Sequence, residues 1–119
     1  MAVPILKEGD VLIASIQSAL TDVDLLVLRD GLVEQVSAYR TRGVIVDVTA
    51  LDVVDSFASR TLRDLAHMIR LRGAQTVIVG IQPDVAFAMV QLGLTLEDIP
   101  TALDLEEGLA FLDRGRQRP

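Results

Sequence analysis

The sequence predicts an α/β domain, a mixed and mostly parallel β-sheet with amphipathic helices packed against it. Three observations carry that prediction. Two β-rich runs, Val44-Ile45-Val46-Asp47-Val48 and Thr76-Val77-Ile78-Val79-Gly80-Ile81, read as buried strands, and a helical apolar pattern follows each. Strand then helix, twice over, requires parallel pairing, because the chain must cross back before the next strand begins. The core must also be aliphatic: half of the 119 residues are apolar, yet the chain has only three phenylalanines, one tyrosine and no tryptophan. Aliphatic cores of this kind suit strands covered by helices.

Taken in order, Pro4-Ile5-Leu6 starts a short edge strand, where Pro4 is tolerated because an edge needs fewer donors. Glu8-Gly9-Asp10 turns it into a strand from Val11 to Ile16. The first long helix is expected from Asp22 with Thr21 as its cap; Leu25, Leu28, Leu32, Val36 and Tyr39 recur at helical spacing until Gly43 ends it. Ala58, Leu62, Leu65, Ala66 and Ile69 make the buried stripe of a second helix stopped by Gly73. Pro83 suits the first turn of a third, whose Val85, Ala86, Met89 and Val90 face inward before Gly93. A short strand near Ile99 is expected next. Asp104 and Glu107 then have capping-box spacing for a last helix through Leu105, Leu109 and Leu112. One domain fits residues 1–113, and the polar residues 114–119 are expected to be a disordered tail.

Composition removes several classes of function. A net charge of −6 argues against nucleic acid, whose binding needs a basic face to release counterions. With no cysteine there are no disulfides, thiolate chemistry or Cys-type metal sites. No run reaches the roughly 18 to 20 apolar residues of a membrane span, and Met1-Ala2-Val3-Pro4 does not open a signal segment, so a cytoplasmic soluble protein is expected. A mean hydropathy of +0.43 is high for a monomer of this size and points to self-association.

In open α/β sheets the crevice outside the carboxyl ends of the strands is the default site. Two segments leave from that edge, the Ile81-Gln82-Pro83 turn and the run Val53-Val54-Asp55-Ser56-Phe57-Ala58-Ser59-Arg60. The second run puts a hydroxyl in the first turn of the second helix, where unpaired N–H groups and a partial positive charge favour a phosphate. Asp55 and Ser56 are equally good caps, so either side chain can close the helix. Nucleophilic catalysis does not fit. Ser56 lacks the flanking glycines of a hydrolase elbow, and the one histidine, His67, lies eleven residues along the same helix, roughly 16 Å away. Neither a P-loop nor a dinucleotide fingerprint is present. Asp47, Asp52 and Asp55 read as caps of turns and helix starts, since an aspartate-phosphorylating site also needs a further acidic pair and a late lysine. No catalytic residue, metal site or cofactor is expected, and the chain reads as a non-enzyme.

Projection of the second helix at 100° per residue gathers Ser56, Arg60, Arg63, His67 and Arg70 into one stripe about 80° wide, opposite the apolar one. An acidic protein that collects basic groups beside a candidate cap has the makings of a docking surface. Asp55, Phe57, Arg60, Arg63 and His67 are the candidate partner-binding residues. Phe57 is either tucked under the loop or presented to a partner, and Ser59 reads as an ordinary exposed serine.

The pieces Pro4-Ile5-Leu6-Lys7, Ser15-Ile16-Gln17, Gly43-Val44-Ile45-Val46-Asp47-Val48-Thr49 and Asp55-Ser56-Phe57 together resemble the STAS domain family of anti-sigma-factor antagonists. Gly80-Ile81-Gln82-Pro83 and Ala102-Leu103-Asp104-Leu105-Glu106-Glu107-Gly108-Leu109 extend the resemblance over essentially the whole chain. Phe57-Ala58 stands where many antagonists have Ser-Gly, which is similar to the stressosome scaffold branch. The resemblance implies a scaffold that co-assembles with a STAS-containing paralogue and sequesters a serine/threonine switch kinase. It also implies phosphorylation of Ser56 by that kinase and resetting by a phosphatase. Two alternatives stay open: a simple antagonist that binds an anti-sigma kinase one to one, and a small-ligand sensor using the crevice near Gln82.

Overall fold

The computed structural model describes residues 3–116. Its elements are β1 (Ile5–Glu8), β2 (Val11–Ser15), α1 (Asp22–Tyr39), β3 (Gly43–Asp47), α2 (Ser56–Leu71), β4 (Gln75–Val79), α3 (Pro83–Gln91), β5 (Thr101–Ala102) and α4 (Leu105–Arg116). The five strands form one sheet in sequence order, with β1 antiparallel to β2 and every later pair parallel. This is the mixed, mostly parallel sheet that the strand–helix alternation predicts.

The period-two alternation of the strands divides the core between two faces. Leu12, Ala14, Val44, Val46 and Ile78 pack with Leu28, Leu32 and Val36 of α1 and Leu62, Leu65 and Ile69 of α2. Val11, Ile13, Ile45, Val77 and Val79 meet Leu105, Leu109 and Leu112 of α4 on the opposite face. The central strands are therefore apolar on both faces and read as continuous runs. Each fully buried Leu, Ile or Val stabilises the fold by about 1.5–3 kcal/mol relative to exposure. A third, smaller cluster of Val54, Val85 and Met89 fastens α3 to the loop that precedes α2.

Local chemistry sets the helix ends. Thr21 caps α1 in a reciprocal box: its Oγ1 accepts from Asp24 N–H at 3.1 Å, and Asp24 Oδ2 accepts from Thr21 N–H at 3.4 Å. The Thr21 hydrogen bond holds the Asp24 carboxyl below its ordinary range. A carboxyl depressed in the folded state stabilises it above the unfolded-chain value, and that contribution is lost as pH falls through the folded one.

Five details differ from the sequence reading. Arg40, in the left-handed region at φ 50°, ends α1 before Gly43 is reached. Gly43 instead opens β3, where an added Cβ would stand 2.6 Å from Leu112 Cδ1, so the glycine lets α4 approach the sheet. Tyr39 is exposed, with the Lys7 ammonium 6.0 Å from its ring centre. On α3 only Val85 and Met89 are buried, while Ala86 and Val90 face outward, because this short helix packs on one side only, against Val54 and its neighbours. Finally, α4 continues through Arg116 past the expected end at 113, with the Arg114 guanidinium 5.8 Å from the Phe111 ring. The rest of the expected tail, residues 117–119, lies outside the described residues.

Candidate functional site

The strands β2, β3 and β4 point their carboxyl ends at one edge, and the loops that leave it are cross-braced. Asp47 at the end of β3 accepts from Thr49 N–H at 2.9 Å and from Thr49 Oγ1 at 2.6 Å, which folds the chain back at once. Gln82 Nε2, at the start of α3, donates to Thr49 O at 2.6 Å and ties the two loops together. Gly80, at φ 81°, lies where an added Cβ would collide with Thr49 Oγ1, so this brace requires glycine. Asp47 and Gln82 thus have structural partners. Among the described residues no group of three His, Cys, Asp or Glu is placed to hold a metal ion.

The loop continues to Val54, buried between Val85 and Met89, which fixes where α2 begins. Asp55 is the N-cap: its backbone is extended, its Oδ1 accepts from Ala58 N–H at 2.8 Å and its carbonyl accepts from Ser59 N–H at 2.9 Å. Ser56 is therefore the first helical residue and not the cap. Its side chain is exposed and makes no hydrogen bond among the described residues. The cap assignment leaves a hydroxyl at the helix start with no structural duty.

Around Ser56 the surface has two parts. Along α2, Arg60, His67 and Arg70 are exposed with Ser56 and Arg63 is half-buried, so the five residues share one accessible stripe. Arg70 donates to Asp98 O at 3.0 Å, whereas Arg60, Arg63 and His67 have no hydrogen bond or ion pair among the described residues. On the other side lies an open groove of about 410 Å³, lined by Asp52, Val53, Val54, Asp55 and Ser56 and by Val85, Ala88, Leu92 and Leu94. Val53 is 73% exposed and Leu92 71%. Phe57 is half-buried, between the two positions left open for it.

A family model for the STAS domain matches residues 2–108 of this chain. The chain belongs to the STAS domain family. Its fold is similar to that of a serine-to-glutamate variant of RsbS from Moorella thermoacetica, with a TM-score of 0.84, 32% identity and 98% of both chains covered. A chain from the molecular architecture of the stressosome, a signal integration and transduction hub, gives a TM-score of 0.78 at 30% identity, covering 97% of this chain and 100% of that one. The RsbT co-antagonist protein RsbRA of Bacillus subtilis (strain 168) is 29% identical over 82 residues, 69% of this chain. That alignment spans only 30% of RsbRA's own length.

In this STAS domain, Ser56, Arg60, Arg63 and His67 lie together as the helical projection predicts, with Asp55 acting beside them as the cap. Ser59 is a correction: it is 1% exposed, and its Oγ is buried with no hydrogen-bond partner among the described residues. The sequence reading also passed over the groove. Its signal was legible in Val85-Ala86-Phe87-Ala88-Met89-Val90, an unbroken apolar run around a short helix. A two-turn helix packed on one loop buries only one narrow stripe, so the rest of such an apolar run is left outside. Of that remainder Ala88 lines the groove, and Phe87 and Val90, 65% and 78% exposed, lie outside it.

Proposed function

We propose that this STAS domain is a non-enzymatic stressosome scaffold and anti-sigma-factor antagonist. It assembles with copies of itself and with STAS paralogues in the cytoplasm and sequesters a serine/threonine switch kinase. Phosphorylation of Ser56 releases the kinase, and a phosphatase restores the hydroxyl. The observation that carries this reading is the exposed, unbonded Ser56 hydroxyl beside a cap formed by Asp55, on the rim of an apolar groove and at the head of a basic stripe. Likeness to RsbS over nearly the full length of both chains supports the scaffold role. The relatives named as RsbT co-antagonists support paralogue partners of the same fold. Among the described residues no helix is long and apolar enough to cross a membrane.

The switch follows from electrostatics. In the transfer, Ser56 Oγ forms a bond to the γ-phosphorus of ATP as the bond to the β-phosphate oxygen breaks; ADP leaves, and the hydroxyl proton passes to the kinase's base. The product adds about −1.5 to −2 charges and three acceptor oxygens. The folded domain accommodates these at an exposed helix start. A partner seated in the groove does not, because its apolar surface would cover the new charge beside Asp52 and Asp55. A coupling of about 1–3 kcal/mol changes affinity roughly 5- to 150-fold, enough for release.

The test is kinase release from the assembled complex. Ser56→Ala is expected to form the complex, capture the kinase and retain it when MgATP is added, while the wild type lets it go. Equal release from the mutant sinks the proposal.

A further inference from the structure

Ser56 and Arg60 stand four residues apart on α2, so their side chains occupy one face of the helix, about 6 Å apart along its axis. Both are exposed, and Arg60 has no ion pair among the described residues even though Asp64 lies one turn further on. Arg63, also unpaired among those residues, is half-buried on the same stripe. On the opposite side of Ser56 the situation is reversed. Asp55 Oδ1 already takes the Ala58 N–H at 2.8 Å, and Asp52 and Asp55, both acidic, line the groove with Ser56.

A phosphate on Ser56 therefore meets repulsion from the loop behind it and an unpaired guanidinium in the turn ahead. The helix terminus is only a partial receptor, since Asp55 has taken the Ala58 N–H and its carboxylate opposes a second anion. We infer that a phosphate on Ser56 is held in cis by Arg60. This deepens, and rests on, the reading of Ser56 as the modified residue. Phosphorylation then changes the docking face twice, placing negative charge on the groove rim and withdrawing Arg60 from the basic stripe. A guanidinium suits the task because its planar fork donates to two phosphate oxygens at once, which an ammonium cannot match.

The experiment installs phosphoserine at position 56 during synthesis, without a kinase, and follows the ³¹P resonance of the intact domain against pH at fixed ionic strength. Arg60 favours the dianion, so the titration midpoint of the otherwise wild-type phosphoprotein is expected about half a pH unit below that of Arg60→Gln. Arg60→Lys should recover part of the difference, and Arg63→Gln should leave most of it. Equal midpoints for the Arg60 and Arg60→Gln proteins overturn the inference, as does a difference that Arg63→Gln abolishes and Arg60→Gln does not. Unfolding midpoints of the unphosphorylated variants, expected to be equal, separate this effect from a loss of fold. Because the phosphate is built in, a kinase that fails to modify Ser56 would count against the proposed function and leave this result standing.

Discussion

Asp55 and Ser56 divide between them what a helix start offers. The aspartate takes the free backbone donor at 2.8 Å, and the serine, one residue later, keeps an exposed hydroxyl. Asp55→Ala is expected to destabilise the domain by about 1 kcal/mol. Ser56→Ala should stay within about 0.5 kcal/mol of the wild type. Urea unfolding of the two variants checks the assignment, and the opposite ranking would make Ser56 the cap. The sequence left this choice open because Asp and Ser are equally preferred caps, and only the backbone geometry distinguishes them. Ser59 was misread for a different reason. At 100° per residue it projects about 20° from Ala66, on the flank of the buried stripe, but a hydroxyl is normally an outward signal.

Among the elements, β3, β4 and α2 were legible from strong local patterns: unbroken apolar runs for the two strands and a single apolar stripe for the helix. The ends were less so. Gly43 looked like a helix stop, a frequent use of glycine, but Arg40 adopts the left-handed conformation three residues earlier and Gly43 serves the contact with α4. Gly43→Ala is accordingly expected to cost about 1–3 kcal/mol through overpacking against Leu112. Thermal unfolding measures it, and a neutral effect would mean that α4 shifts freely on the sheet. α3 was the least legible element. Apolar spacing predicted Ala86 and Val90 inside, whereas the helix has only Val54 and its neighbours to pack against and leaves Phe87, Val90 and Leu92 in solvent. Local pattern reports which residues are apolar, but the area available to bury them is a tertiary property.

On the scale of the whole molecule, the parallel sheet brings the phosphosite candidate, the groove and the head of the basic stripe to one end of the domain. The composition alone argues against nucleic acid and leaves no thiol for thiolate chemistry, and the position of Ser56 at the crevice edge followed from the strand order. The groove did not, because it is formed by residues from the 52–56 segment and α3 that only the fold brings together. Leu92→Glu, which adds charge to the groove without touching the core, is expected to weaken kinase capture at least about fivefold and leave the unfolding midpoint unchanged. A binding titration against the immobilised kinase reads this, and undiminished affinity would remove the groove from the docking surface. Light scattering of the domain mixed with its paralogue should show a large particle; a one-to-one complex would instead favour the simple antagonist.

The proposed function stands or falls with Ser56 as a reversible switch. Intact mass after incubation with MgATP and the cognate switch kinase tests it most directly, on wild type and Ser56→Ala side by side. One added phosphoryl group is expected on the wild type and none on the mutant. An unmodified wild type in the presence of a demonstrably active kinase, or a mutant modified equally, would contradict it.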